Sequence, residues 1–170
     1  MATIDLIVLG IIKQNPQSAY DIQKTVEYRN ISKWVRISTP SIYKKVLQLE
    51  EKGFLQSSPL KQGNMVEKSV YSLTDEGLKE FKRLMNEVSL EPINFFLDFN
   101  AVIVNLVGLS KSEKAKYIAN IKSSLSQTKK ELEENIELKK GKTMVSKEGF
   151  DVLQQQYQLA VAIEKWLESC

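Results

Sequence analysis

The order of hydrophobic patterns in the first 77 residues constrains the fold of this chain more than any other feature. Apolar residues recur at three-and-four spacing between residues 4 and 12, which predicts a helix with one wide apolar face. Asn15-Pro16 ends that helix, because proline disfavours helical backbone in the residue before it. Ser18 is the expected N-cap of a second, shorter helix that ends near Tyr28.

A third helix is predicted at residues 41–52. Thr39 suits the N-cap and Pro40 the first helical position, while Gly53 suits the residue after the last turn. The inner stripe of this helix is expected to consist of Ile42, Val46 and Leu49. Lys44 and Lys45 are expected on the opposite side.

The apolar period then changes to two. Short alternating runs at residues 54–61 and 65–73 flank Gln62-Gly63-Asn64, a sequence typical of turns, so we predict a β-hairpin. Thr74 is the expected N-cap of a further helix that carries acidic residues in its first turn.

Helical patterns fill the rest of the chain. The apolar stretch at residues 95–107 is expected to be buried, and Ser110 is the expected cap of a long helix that ends at Gly141. A last helix is expected from about Ser146. We therefore predict a mainly α-helical fold with a small β-hairpin, divided into a winged-helix domain at residues 1–90 and a helical domain at residues 91–170.

Composition excludes several classes of protein. The chain has 170 residues, no histidine, and one cysteine at position 170. Ser–His catalysis, a histidine general base, a zinc cluster and an intrachain disulfide are thereby excluded, and no P-loop or paired-carboxylate motif occurs. We expect no enzyme activity, no cofactor and no metal. Because no stretch has the features of a signal peptide or a membrane span, we expect a cytoplasmic protein.

The net charge of +3 is unevenly distributed. Residues 1–84 carry 13 basic and 9 acidic side chains, whereas residues 85–170 carry 11 basic and 12 acidic ones. The positive excess therefore lies in the half that contains the three short helices and the hairpin, where it suits a polyanionic partner.

Three helices followed by a hairpin and another helix form the layout of a winged helix-turn-helix. In such a module the third helix enters the DNA major groove and the hairpin contacts the adjacent backbone. The expected DNA contacts are hydroxyl, tyrosine and lysine side chains near that helix and on the hairpin: Tyr20, Ser38, Thr39, Ser41, Tyr43, Lys44, Lys45, Lys61 and Lys68. Each lysine could instead be a solvated surface residue, and Tyr43 could instead pack beside Val46 and Leu47.

Several short motifs lie within residues 5–77. They are Leu9-Gly10, Ala19-Tyr-Asp-Ile22, Trp34-Val-Arg-Ile-Ser38, Ser41-Ile-Tyr43, Leu49-Glu-Glu-Lys-Gly53 and Tyr71-Ser-Leu-Thr-Asp-Glu-Gly77. In their residues and spacing the chain resembles PadR-type transcriptional regulators, and its whole layout is similar to the larger PadR subgroup. The resemblance implies a homodimeric repressor that dimerises through its C-terminal helices. It also implies release of DNA when a small, often aromatic, molecule binds.

The chain departs from the family pattern at three places. Many relatives have glycine at the position of Pro40 or Ser41, whereas this chain reads Ser-Thr-Pro-Ser. Ala19 stands where relatives usually have glycine. Between Gly63 and Lys68 the hairpin offers one basic residue, Lys68, whereas relatives often carry several arginines there. The hairpin is therefore expected to contribute less to DNA binding than the third helix.

Two apolar seams predict self-association. The helices at residues 110–140 and 146–168 each carry an apolar stripe on a charged surface, and such a stripe must be buried. We expect a dimer interface formed by Ile118, Ile121, Leu125, Phe150, Leu153, Tyr157, Val161 and Leu167. Trp34 either lines a ligand pocket or packs on the helical core, and Phe95, Phe96 and Phe99 either surround an aromatic effector or belong to the core.

Two functional hypotheses remain from the sequence. The first is a dimeric repressor whose third helices enter successive major grooves of a pseudo-palindromic operator. The second is a winged-helix protein–protein interaction module without specific DNA binding. Salt dependence separates them, because duplex binding weakens steeply as salt releases the phosphate contacts.

Overall fold

The computed structural model describes residues 2–60, 68–142 and 145–169, without the side chains of residues 60 and 68. The described residues confirm a mainly α-helical fold with an antiparallel hairpin. Two units are formed, Met1–Ile93 and Asn94–Cys170. Their elements are, in chain order, α1 (Ala2–Gln14), α2 (Ala19–Tyr28), a 3₁₀ turn (Ile31–Lys33), α3 (Ser41–Glu51), β1 (Leu55–Leu60), β2 (Lys68–Leu73), α4 (Asp75–Ser89), α5 (Asn100–Val104), α6 (Lys111–Lys139) and α7 (Lys147–Glu168).

The core of the first unit joins all three N-terminal helices to the hairpin and α4. Its buried larger side chains are Val8, Leu9, Ile11, Ile12, Ile22, Val26, Ile31, Ile42, Val46, Leu49, Leu55, Tyr71 and Leu84. Burying each large aliphatic side chain contributes about 1.5–3 kcal/mol. Trp34 packs against this cluster, as its core interpretation predicts. Because the predicted stripe of α3 is buried here, the opposite face of α3 is left at the surface.

Side-chain caps begin most helices where the sequence predicts them. The hydroxyl oxygen of Ser18 accepts a hydrogen bond from the backbone N–H of Asp21 at 3.2 Å, and Thr74 and Ser146 cap α4 and α7 in the same way. Ser110 forms a complete capping box with Glu113, whose side chain accepts from the backbone N–H of Ser110. Each of these pairs satisfies a donor that the helix itself leaves unpaired.

The end of α3 is a Schellman motif centred on Gly53. Gly53 has a φ of +76°, and its N–H donates to the carbonyl of Glu50 at 2.8 Å. The N–H of Phe54 donates to the carbonyl of Leu49 at 2.9 Å. Both bonds satisfy carbonyls of the last turn, and the left-handed backbone explains why glycine stands at this position.

The hairpin is anchored to the loop between α1 and α2. Its strands pair from Leu55 with Leu73 to Leu60 with Lys68. Gln17 and Tyr71 exchange backbone hydrogen bonds of 3.2 and 2.9 Å, so the loop acts as a third, one-residue strand. The predicted turn at residues 62–64 lies outside the described residues.

The second unit is built on a helical hairpin of α6 and α7. Leu153, Ala160 and Leu167 of α7 are buried. The ammonium group of Lys129 pairs with Glu164, and the hydroxyl of Tyr157 donates to Glu133 at 2.7 Å. The predicted apolar seams are therefore buried partly against each other within one chain, rather than only against a partner.

The prediction that residues 95–107 are buried is wrong for the isolated chain. Phe95 is 72% exposed, Phe96 65% and Val107 87%. This stretch forms only the five-residue helix α5 and short turns. A five-residue helix has little more than one turn. It therefore offers too little surface to pack this apolar stretch against the rest of the unit. The aromatic residues at 95 and 96 are therefore surface residues of the second unit.

Candidate nucleic-acid interface

The exposed face of α3 brings together most of the residues predicted to contact DNA from this helix. Tyr43 is 57% exposed, and Ser41 and Lys44 are exposed beside it. Ile42 and Val46 are fully buried on the other side. Tyr43 thus has the exposed position that its phosphate-contact interpretation requires.

Lys45 does not belong to this face. Its ammonium nitrogen lies 2.8 Å from the Oδ1 atom of Asp5 in α1, and its side chain is only 11% exposed. The predicted position of Lys45, opposite the inner stripe, is therefore wrong. The physical reason is helical geometry, since a residue three after Ile42 and four before Leu49 lies on the same face as both.

The start of α3 differs from the sequence prediction. Pro40 occupies the cap position, and no side-chain cap hydrogen bond occurs there, so the prediction that Thr39 caps the helix is wrong. Instead, the N–H groups of Ser41 and Ile42 donate to the carbonyls of Ser38 and Thr39 at 3.0 and 3.1 Å. These two N–H groups are already used, so hydroxyl side chains become the principal donors at this terminus. Ser38 and Ser41 are exposed and Thr39 is half-buried.

Tyr20 adds a second exposed ring from the first turn of α2. It is 61% exposed, and the ammonium group of Lys24 lies 5.5 Å from the ring centroid. A hydrogen bond from Lys24 to Glu27 raises the pKa of that ammonium above its ordinary value, so Lys24 stays charged. Lys24 is not among the residues predicted from the sequence, although its spacing of four residues from Tyr20 places both on one helix face.

The hairpin and the segment before α3 hold the remaining basic residues of this region. Lys61 lies outside the described residues, and Lys68 begins β2 with its side chain outside the description. Arg36 is exposed just before α3 and was also missed by the sequence analysis, although it stands within the Trp34–Ser38 motif. The sequence indication was that Arg36 stands two residues before Ser38, one of the residues predicted to contact DNA.

The residues predicted to mediate dimerisation differ in their exposure. Leu153 and Leu167 are buried within the second unit, whereas Val161 is 38% exposed. The others, Ile118, Ile121, Leu125, Phe150 and Tyr157, are half-buried. Large exposed apolar residues of this unit include Phe95, Phe96, Val102, Val104, Val107, Leu138, Leu159 and Trp166.

A cavity of about 360 Å³ opens in the second unit. It is lined by Phe99, Asn120, Ile121, Ser124, Leu125, Thr128 and Ile163. The three polar residues follow one another at four-residue spacing along α6, and the hydroxyl of Thr128 donates to the carbonyl of Ser124 at 3.1 Å. Phe99 lies 6.2 Å from Trp166, measured between ring centroids. Apolar walls with a polar stripe are typical of small-molecule sites.

Other kinds of site were sought in the same residues. Within residues 2–60, 68–142 and 145–169, no three acidic or cysteine side chains are grouped to hold a metal ion. None of the helices described is both long and apolar enough to cross a membrane.

Comparison with known proteins finds a family match within the first unit. Residues 8–83 match the Transcriptional regulator PadR-like family. This range contains α2, α3 and the hairpin with the candidate interface. None of the curated proteins matches the chain in sequence.

Solved structures share the fold along almost the whole chain. Bacillus subtilis PadR in complex with operator DNA has a TM-score of 0.82 at 22% identity, over 98% of this chain and 96% of that chain. The same protein in complex with p-coumaric acid has a TM-score of 0.79 at 19% identity, over 98% and 92%. A PadR-like transcriptional regulator from Bacillus cereus has a TM-score of 0.71 at 22% identity, over 99% and 93%. Residues 8–83 therefore match the PadR-like family of transcriptional regulators in sequence, and the chain shares the fold of solved PadR structures over almost its whole length.

Proposed function

We propose that this protein is a cytoplasmic repressor that binds a pseudo-palindromic operator as a homodimer. The observation that carries the proposal is the exposed polar face of α3, where Ser41, Tyr43 and Lys44 stand opposite a fully buried stripe. Bacillus subtilis PadR, which shares the fold, forms a complex with operator DNA. In this winged-helix module α3 is the element that would enter the major groove.

Each exposed side chain has a role suited to its chemistry. Lys44 supplies a positive charge for a phosphate, and the Tyr43 hydroxyl donates a hydrogen bond to a phosphate oxygen. The hydroxyl groups of Ser38, Thr39 and Ser41 are short enough to reach base edges or the sugar–phosphate backbone. Tyr20 and the hairpin lysines, Lys61 and Lys68, would contact the flanking backbone.

Dimerisation is supported by the apolar surface of the second unit. Phe95 and Phe96 are 72% and 65% exposed, and they are accompanied by Val102 and Val104. Several large exposed apolar side chains within one short segment are typical of an interaction surface. A second copy is the occupant that a symmetric regulator provides, since it also supplies the second α3 for an adjacent half-site about 34–36 Å away.

An effector would bind in the cavity of the second unit. Phe99, Ile121, Leu125 and Ile163 suit an aromatic ring, while Asn120 and Ser124 suit a hydroxyl or carbonyl group. The described residues that line the cavity are all uncharged, so a neutral ligand is favoured over an anion. Bacillus subtilis PadR forms a complex with p-coumaric acid. A ligand that binds better to the form unable to span both half-sites would release the operator.

The proposal is tested by selecting bound duplexes from fragmented genomic DNA with the full-length protein. We expect enrichment of a pseudo-palindrome with half-sites one helical turn, or a multiple of it, apart. The selected site placed upstream of a reporter should lower expression when the protein is present. Failure to enrich any duplex would contradict DNA binding and favour a protein-interaction role. Enrichment of a single half-site would contradict the dimer.

A further inference from the structure

The ion pair between Asp5 and Lys45 joins α1 to the middle of α3. The two charged atoms lie 2.8 Å apart, and the side chains are only 14% and 11% exposed. Among the described residues, no hydrogen-bond donor satisfies the buried Oδ1 atom of Asp5, and its contact with Lys45 is an ion pair. The ammonium group of Lys45 is therefore the group that compensates this carboxylate.

The pair lies within the apolar contact between the two helices. On α1 it is followed by Val8 and Leu9, and on α3 it is flanked by Ile42 and Leu49, all buried with at most 1% exposure. Apolar contacts of this kind are strong but non-directional. They hold two helices together while tolerating small changes in rotation and register.

A partly buried ion pair has the opposite properties. Its net contribution to stability is small, because desolvation of both charges offsets their attraction, yet its geometry is specific. Charge pairs and buried polar groups of this type are known to fix helix register in other folds. Here the fixed point is Lys45, next in the chain to the exposed Lys44.

Helical geometry links this fixed point to the exposed face. Successive residues of a helix are rotated by about 100°. When Lys45 is held towards α1, Lys44 and Tyr43 are turned towards solvent, as observed. A rotation of α3 that released Lys45 would move both of these side chains away from their present direction.

We propose that the Asp5–Lys45 pair is a positioning device that sets the rotation of α3 on α1 and so aims Tyr43 and Lys44 at DNA. The inference rests on the proposed function in one respect, namely that the molecule contacted by Tyr43 and Lys44 is DNA. It assigns Lys45 a role distinct from phosphate contact. The orientation of α3 is a property of the free protein and can be measured without DNA.

The first test uses four variants of the full-length protein: Lys45→Met, Lys44→Met, the apolar pair Asp5→Leu/Lys45→Met, and the charge swap Asp5→Lys/Lys45→Asp. Binding to the selected operator is measured over a range of salt concentrations. For Lys45→Met and for the apolar pair we expect affinity to fall about tenfold, equivalent to the loss of one base contact, with the salt slope unchanged. For Lys44→Met the slope itself should fall, by about 0.9 for each phosphate contact removed. The charge swap should restore most of the affinity.

Stability distinguishes positioning from simple folding support. The apolar pair leaves no uncompensated charge, so its unfolding midpoint in urea should match or exceed that of the wild type. A stable apolar pair with reduced affinity is the result that a merely structural role would not give. Wild-type affinity in the apolar pair, or a reduced salt slope in Lys45→Met, would overturn the inference.

A second measurement keeps the inference testable if the protein binds no duplex at all. Residual dipolar couplings of backbone amides in α1 and α3 report the angle between the two helices in free protein. We expect equal couplings in the wild type and the charge swap, and altered α3 couplings in the apolar pair. Unchanged couplings in the apolar pair would refute the positioning role, whereas altered couplings with no DNA binding would refute only the proposed function.

Discussion

A Cβ atom on Gly77 would lie 2.0 Å from the carbonyl oxygen of Phe54, so the first turn of α4 packs directly on the backbone that follows α3. The hydroxyl of Thr74 donates to the carbonyl of Gly53 at 2.7 Å and strengthens the same contact. The junction joins the end of α3 to the start of α4. It explains in physical terms why the Thr74-Asp-Glu-Gly77 motif ends in glycine.

We predict that Gly77→Ala destabilises the first unit. Alanine normally favours a helix over glycine by up to about 1 kcal/mol, but here the added methyl group meets a backbone atom that cannot move aside. We expect a net loss of about 1–3 kcal/mol in urea unfolding followed by circular dichroism. Gly149→Ala is the matched control, because its Cβ would meet neighbouring side chains at 3.5 Å or more. Equal effects of the two substitutions would show that the close contact is absent.

The ion pair of Glu80 and Arg83 predicts a pH dependence of stability. The hydrogen bond from Arg83 holds the pKa of Glu80 below its ordinary value of 4.5. A depressed folded-state pKa gives stability that is present above the unfolded pKa and lost as the pH falls through the folded one. The difference in unfolding free energy between wild type and Glu80→Gln should therefore be constant near neutral pH and shrink as the pH falls below 4.5.

The same comparison in an Arg83→Gln background serves as the control. Without the guanidinium group, the change in unfolding free energy caused by Glu80→Gln should lose most of its dependence on pH. A pH dependence that persists in this background would assign it to another group.

Substitutions at Leu153 and Phe96 distinguish the folding of the second unit from the self-association of the chain. Leu153 is buried in the α6–α7 pair, so Leu153→Ala should lower the unfolding free energy of the second unit by about 2–5 kcal/mol. Phe96 is 65% exposed in the single chain, so Phe96→Ala should leave an isolated chain about as stable and weaken the dimer instead. Sedimentation equilibrium measures the weakening of the dimer as a fall in the apparent mass, from twice 19.4 kDa towards the mass of one chain. A wild-type protein that sediments as a monomer would contradict the dimer proposal.

The cavity beside Phe99 predicts a preference for neutral aromatic ligands. In a Trp34→Phe background, fluorescence reports Trp166, whose ring is 6.2 Å from that of Phe99. We expect quenching by 4-vinylphenol at lower concentrations than by p-coumaric acid, which carries a carboxylate but otherwise a similar ring. Ser124→Leu, which removes a hydroxyl group from the cavity wall and places a bulkier apolar side chain there, should abolish the quenching. Tighter binding of the acid, or binding that survives this substitution, would contradict the cavity as the site.

Local features were predictable from the sequence because their causes are local. The caps at Ser18, Thr74, Ser110 and Ser146 each involve a hydrogen bond to a residue three positions later. Gly53 was predictable because a left-handed residue after a helix favours glycine. The order of helices and strands followed from apolar periods of the same short range.

Features that depend on distant parts of the chain were not predictable. The inward direction of Lys45 follows from its spacing to Ile42 and Leu49, but its partner Asp5 is forty residues away in sequence, and nothing local to α3 indicates that contact. The backbone pairing of Gln17 with Tyr71 depends on the folded hairpin in the same way. The apolar stretch at residues 95–107 suggested burial, but whether a surface is covered depends on which elements, or which second chain, pack on it.

We propose that α3 presents Tyr43 and Lys44 to duplex DNA, and the salt dependence of operator affinity reports this contact. The measurement compares wild type, Lys44→Met and Lys82→Met, where Lys82 is an exposed lysine of α4 that serves as the matched control. We predict a steep negative log–log slope for the wild type, the same slope for Lys82→Met, and a slope shallower by about 0.9 per lost phosphate contact for Lys44→Met. Identical slopes for all three proteins, or a flat slope for the wild type, would contradict the claim.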